Sequence, residues 1–394
     1  MKKSLLAVAA MGAFASAAQA QSSVTIYGIL DAGYVGGNQR QQTTTVTGTN
    51  GNNFAISGSE STSRLGFKGV EDLGGGKSAF FTVEVTLAGD STAVLGGTRQ
   101  AFVGLKDNKL GAAAIGTQNT IIHNAVGATD PGQQNNITGN VIYAANSNQT
   151  GGSTTNSTFG QTDAYTIRTS QTLTYQSPVF SGFKVNASYA LNNDNTTQTG
   201  AYNVAGGSSN GGSTNYNGWG LGADFTFQKF YATANYQALK SVVPYGTVAG
   251  ATAYSPADTA WTATTGGSNT QDNQAYVAAT YDFGILKAYG QWINRKATAV
   301  QSSNFYLKRS AQQIGVRSFI TPTVEAWASI GNGRWSAMGA SNPTANFTGY
   351  QVGSNYYLSK RTNLYAIFGS TETSSTTAGA ASQNNYAVGV RHTF

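Results

Sequence analysis

Apolar and polar residues alternate with period two in one segment of the chain after another. Ala275, Val277, Ala279, Tyr281 and Phe283 form one apolar stripe, with Gln274, Tyr276, Thr280 and Asp282 between them. Trp219, Leu221, Ala223, Phe225 and Phe227 form a second, and Ala79, Phe81, Val83, Val85 and Leu87 a third, opposite Ser78, Thr82, Glu84 and Thr86. Successive side chains on a strand point to opposite faces, so each segment predicts a strand with one apolar and one polar face. Helical spacing is absent from these stretches. The chain therefore reads as antiparallel β from end to end, with no visible domain boundary.

The connections sharpen this picture. Short ones fall at 71–76, 107–109, 177–182, 228–229, 282–284, 321–322 and 359–362. Long ones, rich in Asn, Gly, Ser and Thr, fall near 38–57, 192–217, 240–272 and 336–346. Short turns at one rim and long loops at the other predict a transmembrane antiparallel β-barrel of about sixteen strands, wide enough for a water-filled lumen. A secreted sandwich or solenoid would lack this alternation of loop lengths, and no fixed-period repeat is present. The last segment carries Tyr386, Val388, Val390 and Phe394 on one face, interrupted by His392. In a closed barrel this strand pairs with the first and turns its apolar face to lipid.

One connection differs from the rest. The stretch at about 119–165 holds no Lys or Arg, and its acids are Asp130 and Asp163. Its first part mixes Ile121, Ile122, Val126, Ile137, Val141 and Ile142 with polar residues, and such content needs a wall to pack on. Folding inward against the lumen buries it and narrows the pore. Alternation points Arg64 and Lys68 inward, because Leu65 and Phe67 between them want lipid. Arg168 shares a polar face with Thr172 and Thr174. Both faces of the strand that begins at Arg99 are partly apolar, so alternation leaves its direction open. Guanidiniums on one wall opposite loop carboxylates create a transverse field that sorts solutes by charge.

Composition agrees with export to a membrane. Met1-Lys2-Lys3, an apolar core over Leu5 to Phe14 and Ala18-Gln19-Ala20 form a secretory signal peptide over residues 1–20, which leaves 21–394 as the barrel domain. There is no cysteine, and charged residues make up only 10%. The net charge is +7, falling to an excess of about five once Lys2 and Lys3 are removed. No basic cluster with interleaved aromatics suggests nucleic acid. An enzyme would need a general base, and His123 and His392, the two histidines, lack a nucleophile–acid pattern around them. No cofactor is expected. An adhesin or receptor barrel would work through its long loops and need no constriction. A sugar-specific or anion-specific channel is the nearer rival, with Tyr276 and Tyr289 as inward aromatics.

Particular motifs resemble a known family. Val24-Thr25-Ile26-Tyr27-Gly28 opens the first strand. Ser63-Arg64-Leu65-Gly66-Phe67-Lys68-Gly69 precedes Glu71-Asp72-Leu73-Gly74, Arg99-Gln100-Ala101-Phe102-Val103-Gly104-Leu105-Lys106 follows, and the chain finishes on Phe394. These resemble the general porins of Gram-negative bacteria, most closely the β-proteobacterial type. The resemblance implies a homotrimer of sixteen-stranded barrels in the outer membrane, among lipid and lipopolysaccharide, that passes small solutes and ions. It implies an inward third loop, with Arg64, Arg99 and more loosely Arg168 as an arginine ladder opposite a loop acid near Asp130. It also implies that Phe394 is read by the barrel-assembly machinery. Gly116-Thr117-Gln118 departs from the pattern, because many relatives carry Arg at its centre.

Overall fold

The computed structural model describes residues 23–42, 46–56, 58–89, 94–143, 164–199, 210–243, 268–299, 306–338, 344–375 and 381–394. The proposed leader and Asp163 lie outside them. The described residues form one closed antiparallel sheet. In chain order its strands are β1 (Ser23–Gln42), β2 (Val46–Ala55), β3 (Arg64–Gly74), β4 (Lys77–Leu87), β5 (Leu95–Asp107), β6 (Gly111–Asn119), β7 (Arg168–Gln176) and β8 (Phe183–Thr199). They continue with β9 (Asn210–Phe227), β10 (Phe230–Val243), β11 (Ser268–Asp282), β12 (Lys287–Ala299), β13 (Tyr306–Thr321), β14 (Val324–Met338), β15 (Ala345–Tyr357), β16 (Thr362–Ser375) and β17 (Ala381–Thr393). β2 and β3 lie end to end along β1, pairing with Gly33–Gln42 and Ser23–Ile29 of it respectively. Together they make one stave of the wall, so the seventeen strands give a barrel of sixteen staves.

Closure comes from β1 and β17, which pair antiparallel from Ile29↔Thr393 to Gln41↔Ala381. Phe394 extends the ladder, exchanging backbone bonds with Gly28 at 3.1 and 3.2 Å. In a bilayer an open edge would leave a row of N–H and C=O groups without partners, each costing several kcal/mol, so closure is obligatory. Gly28 gives the Phe394 ring its place, since a Cβ there would overlap the ring.

Burial is inverted relative to a soluble protein. Val103, Ile115, Leu221, Val277, Ile314 and Val352 are exposed on the outer face, whereas Gln237, Gln274, Gln313 and Gln351 are buried inside. An exposed apolar belt around a polar interior is the arrangement a lipid-spanning barrel requires. The alternation in the sequence is the cause. The short turns are shaped by aspartates: Asp72, Asp107 and Asp282 each accept a backbone N–H two residues on, at 2.7–2.9 Å.

The long polar connections are shorter than composition suggests. β8 and β9 remain paired as far as Thr199↔Asn210, and β10 and β11 as far as Val243↔Ser268. Asn, Ser and Thr carry no apolar signal, but their backbones still satisfy each other in a ladder. The strands therefore run on past the membrane belt as hairpins.

Candidate functional site: a constriction across the lumen

The connection after β6 enters the barrel. It starts with a helix that the sequence reading missed, α1 (Ile121–Thr129). Thr120 caps it, its hydroxyl accepting from His123 N at 3.3 Å. Ile121, Ile122, Ala125 and Val126 fall on one helical face and pack with Tyr165, Tyr276 and Ile293. That spacing behind a threonine was the signal available. At the end of α1, Thr129 Oγ1 meets the Tyr276 hydroxyl at 2.5 Å. Tyr276 also accepts from Gln291 and is fully buried, so it anchors the loop instead of lining a solute path.

Residues 130–143 then lie along the inner wall of β13 to β16. Glycines make the trough. A Cβ on Gly349 would come within 2.5 Å of Gly139 O, and one on Gly369 would overlap Thr138 O. Polar side chains fasten the chain there. Gln351 and Asn135 exchange amide bonds at 3.0 and 3.2 Å, and Gln351 also donates to Thr138 O at 2.9 Å. Arg317 donates to Pro131 O at 2.7 Å and Arg309 to Val141 O at 2.5 Å. The tip reaches the break between β2 and β3, where Asn136 donates to Gly58 O at 2.8 Å and Thr62 Oγ1 at 3.0 Å.

The opposite wall carries the arginines, and the structure brings the three of them together. Arg64 and Arg99 converge on Glu84 of β4, at 3.9 and 2.6 Å. Arg168 lies close enough to raise the local positive field on Arg64. Strict alternation would carry Arg99 outward with Ala101, Val103 and Leu105. A bulge prevents this: Glu84 pairs with Gln100 and Val85 with Thr98, so Arg99 is the extra residue and turns to the lumen. A second irregularity interrupts β7 between Thr169 and Thr172, where Gln171 has φ 51°. Lys68 shares the inward face with Arg64 but stands nearer the short-turn rim, with its ammonium 5.2 Å from the centre of the Tyr27 ring. Tyr27 in turn donates to Glu84 at 3.0 Å. Thr117, at the centre of Gly116-Thr117-Gln118, pairs with Ala101 of β5.

Asp130 is placed away from these arginines. It is 2% exposed, tucked between loop and wall, and accepts from Gln134 N at 2.6 Å and Asn140 Nδ2 at 2.9 Å. Burial raises its pKa, partly offset by those donors and by the field of Arg317. Among the described residues the exposed loop positions are Asn124, Gly127, Ala128 and Gln133, none of them charged. The carboxylate that the arginines meet is Glu84, on their own wall. Sequence reading placed Glu84 on the polar face of β4 but gave it no role, because its partners are distant in sequence.

His123 lies beneath the same cluster. Its Nδ1 is 3.1 Å from the Tyr165 hydroxyl, and Gln134 Nε2 is equally close. Burial, then the fields of Arg168, Arg99 and Arg64, push its pKa down to about 3, so it is neutral at physiological pH. Burial drives the Tyr165 phenol well above its ordinary value. His123 is thus a structural hydrogen-bonding group. Among the described residues no cluster of acids, histidines or cysteines could hold a metal ion.

Comparison with known proteins fits this geometry. An outer membrane porin protein of Bordetella pertussis is 30% identical over 203 residues, 48% of this chain and 48% of that protein. Outer membrane porin protein 32 of Delftia acidovorans is 46% identical over 92 residues, 23% of this chain and 24% of that one. The matched stretches therefore span half or less of these relatives. An anion-selective porin from Comamonas acidovorans superposes with a TM-score of 0.66 at 22% identity, covering 95% of this chain and all of that one, a likeness in fold. The family model for Gram-negative porins matches residues 7–376, and the chain belongs to that family.

Proposed function

We propose that the chain forms a water-filled diffusion channel through the bacterial outer membrane, passing small hydrophilic solutes and ions with a mild preference for anions. One observation carries this reading. Arg64 and Arg99 share the carboxylate of Glu84, with Arg168 beside them, across a lumen from a loop whose exposed positions among the described residues are uncharged. The constriction thus keeps an excess of positive charge in a narrow, low-dielectric-walled passage, where a fixed field acts on ions most strongly. Passive conduction uses no catalytic group and no cofactor. Tyr276, the inward aromatic that a sugar-specific channel would call on, is committed to holding the loop.

In this reading residues 1–20 direct export and are removed, and residues 21–394 form the channel. The working assembly is a homotrimer among lipid and lipopolysaccharide, inserted by machinery that reads the strand ending at Phe394. The Arg64, Arg99 and Arg168 group selects, Lys68 adds positive charge below it, and Asp130 serves the loop. Asp163 is the acid that the loop offers to the pore. The test is reconstitution of purified protein into planar bilayers, with liposome swelling in sugars of increasing size. Steady conductance steps and a size-graded swelling rate are expected. A closed or plugged barrel would give neither.

A further inference from the structure

Below the arginines the inner wall departs from what a porin-type lumen calls for. Alternation reserves the inward positions of β4, β5 and β6 for polar groups, yet they hold Phe80, Phe102, Ala112 and Ala114. The two phenyl rings meet edge to face, with centroids 6.3 Å apart and planes at 77°. Gly104, directly opposite Phe80 in the register, leaves room for the Phe80 ring to lie against the wall. Across the lumen the patch faces Ala125 and Ala128 of α1, and together they bound a cavity of about 310 Å³. That is at the lower end of the range for small-molecule pockets, roughly 300–1,000 Å³.

Charge surrounds the apolar patch asymmetrically. Phe102 lies two residues below Gln100, about 7 Å along the strand, and the Arg99 bulge sits directly above. Lys68 shares the inner face two strands from Phe102, by way of Thr82, with its ammonium turned the other way, over the Tyr27 ring. At the other margin Asp224 is already occupied by Lys184 at 3.2 Å, Asn186 at 2.9 Å and Thr233 at 2.8 Å. It has little left to offer a cation. Amides at Gln100, Gln118 and Asn124 line the remainder.

We propose that this cavity is a subsite for small aromatic carboxylates in transit. The ring lies edge-on against Phe80 and Phe102, and the carboxylate points past Gln100 toward the excess positive charge of the Arg64, Arg99 and Arg168 group. The inference rests on the open-channel reading and narrows its anions to a preferred class. A solute with only the charge would pass the arginines without dwelling, and one with only the ring would lack the field that draws it in. Aromatic contacts are worth about 0.5–1.5 kcal/mol beyond area burial, so the ring should add roughly tenfold in dwell time over an aliphatic carboxylate.

The test is single-channel recording of the full chain at neutral pH, with benzoate, acetate, benzyl alcohol and glucose added in turn. Benzoate is expected to produce concentration-dependent current interruptions, about tenfold more persistent than any caused by acetate or benzyl alcohol. Phe80→Leu combined with Phe102→Leu, its folding checked by heat-modifiable gel migration, should reduce benzoate to the level of acetate. Steady channels on which benzoate and acetate act alike would overturn the subsite and leave the channel reading standing. Stronger interruption by glucose would overturn it in favour of a sugar site. If the double variant does not fold, the wild-type comparison among the four solutes decides alone. Absence of channels altogether would remove both readings.

Discussion

Glu84 governs how much of the inner wall's positive charge a passing ion meets. It holds Arg99 at 2.6 Å and reaches Arg64 at 3.9 Å, so it both positions the guanidiniums and cancels one of them. Glu84→Gln keeps the shape and deletes the charge. At about 8 Å in water one unit charge is worth roughly 0.5 kcal/mol, with opposite sign for an anion and a cation, so the anion-to-cation permeability ratio should rise about fivefold at low salt and less at high salt. A reversal potential in a salt gradient reads this directly. His123 gives a prediction of a different kind. Its pKa is near 3 in the fold and near 6.5 when unfolded, so between those values the unfolded chain binds more protons. Its contribution is complete above about pH 6.5 and is lost progressively toward about pH 3. Asp130 works in the opposite sense, since burial raises its pKa and protonation relieves a buried charge. His123→Gln should therefore flatten the acid side of a melting-temperature profile relative to wild type.

The inward loop shows what an element's sequence can and cannot announce. Its apolar content in a polar neighbourhood pointed to a packing partner, and α1 indeed packs on Tyr276 and Ile293. Which wall receives it was not legible, because the trough depends on Gly349 and Gly369 of the β15–β16 hairpin, more than 200 residues away, which meet residues 138–139 only once the barrel surrounds the loop. Arg64 was legible from its lipid-facing neighbours Leu65 and Phe67. Arg99 was not, because a bulge changes parity without any composition signal. Asp130 suggested a charge for the pore and instead satisfies loop amides, a choice set by donors from Gln134 and Asn140. Two substitutions test the loop's seat. Gly369→Val should displace residues 138–139, and Gln351→Ala should remove the Asn135 and Thr138 bonds at a local cost of about 1–3 kcal/mol. Both should leave the barrel folded and give larger, noisier single-channel currents; unchanged current traces would show that the loop is held by other contacts.

At the scale of the whole molecule, stability and conduction come from separate surfaces. The β1–β17 ladder and the outer apolar belt make the barrel a membrane structure; the belt faces away from the lumen, and the ladder meets the loop through Val35 and Ala387, which pack with Ile137. Phe394 belongs to the closing ladder, where its ring rests over Gly28. Removing it should lower the amount of protein assembled in the membrane far more than it lowers the melting temperature of the fraction that folds. Surface levels equal to wild type would count against an assembly role. The central claim concerns the other surface: three arginines beside one carboxylate, facing loop positions that are uncharged among the described residues, set ion preference. The most direct measurement is the reversal potential of wild type and of the Arg64→Gln, Arg99→Gln, Arg168→Gln triple variant across a KCl gradient. The account predicts an anion-side potential for wild type and a shift toward zero or the cation side for the variant, with conducting channels in both. Identical reversal potentials from conducting channels would contradict it.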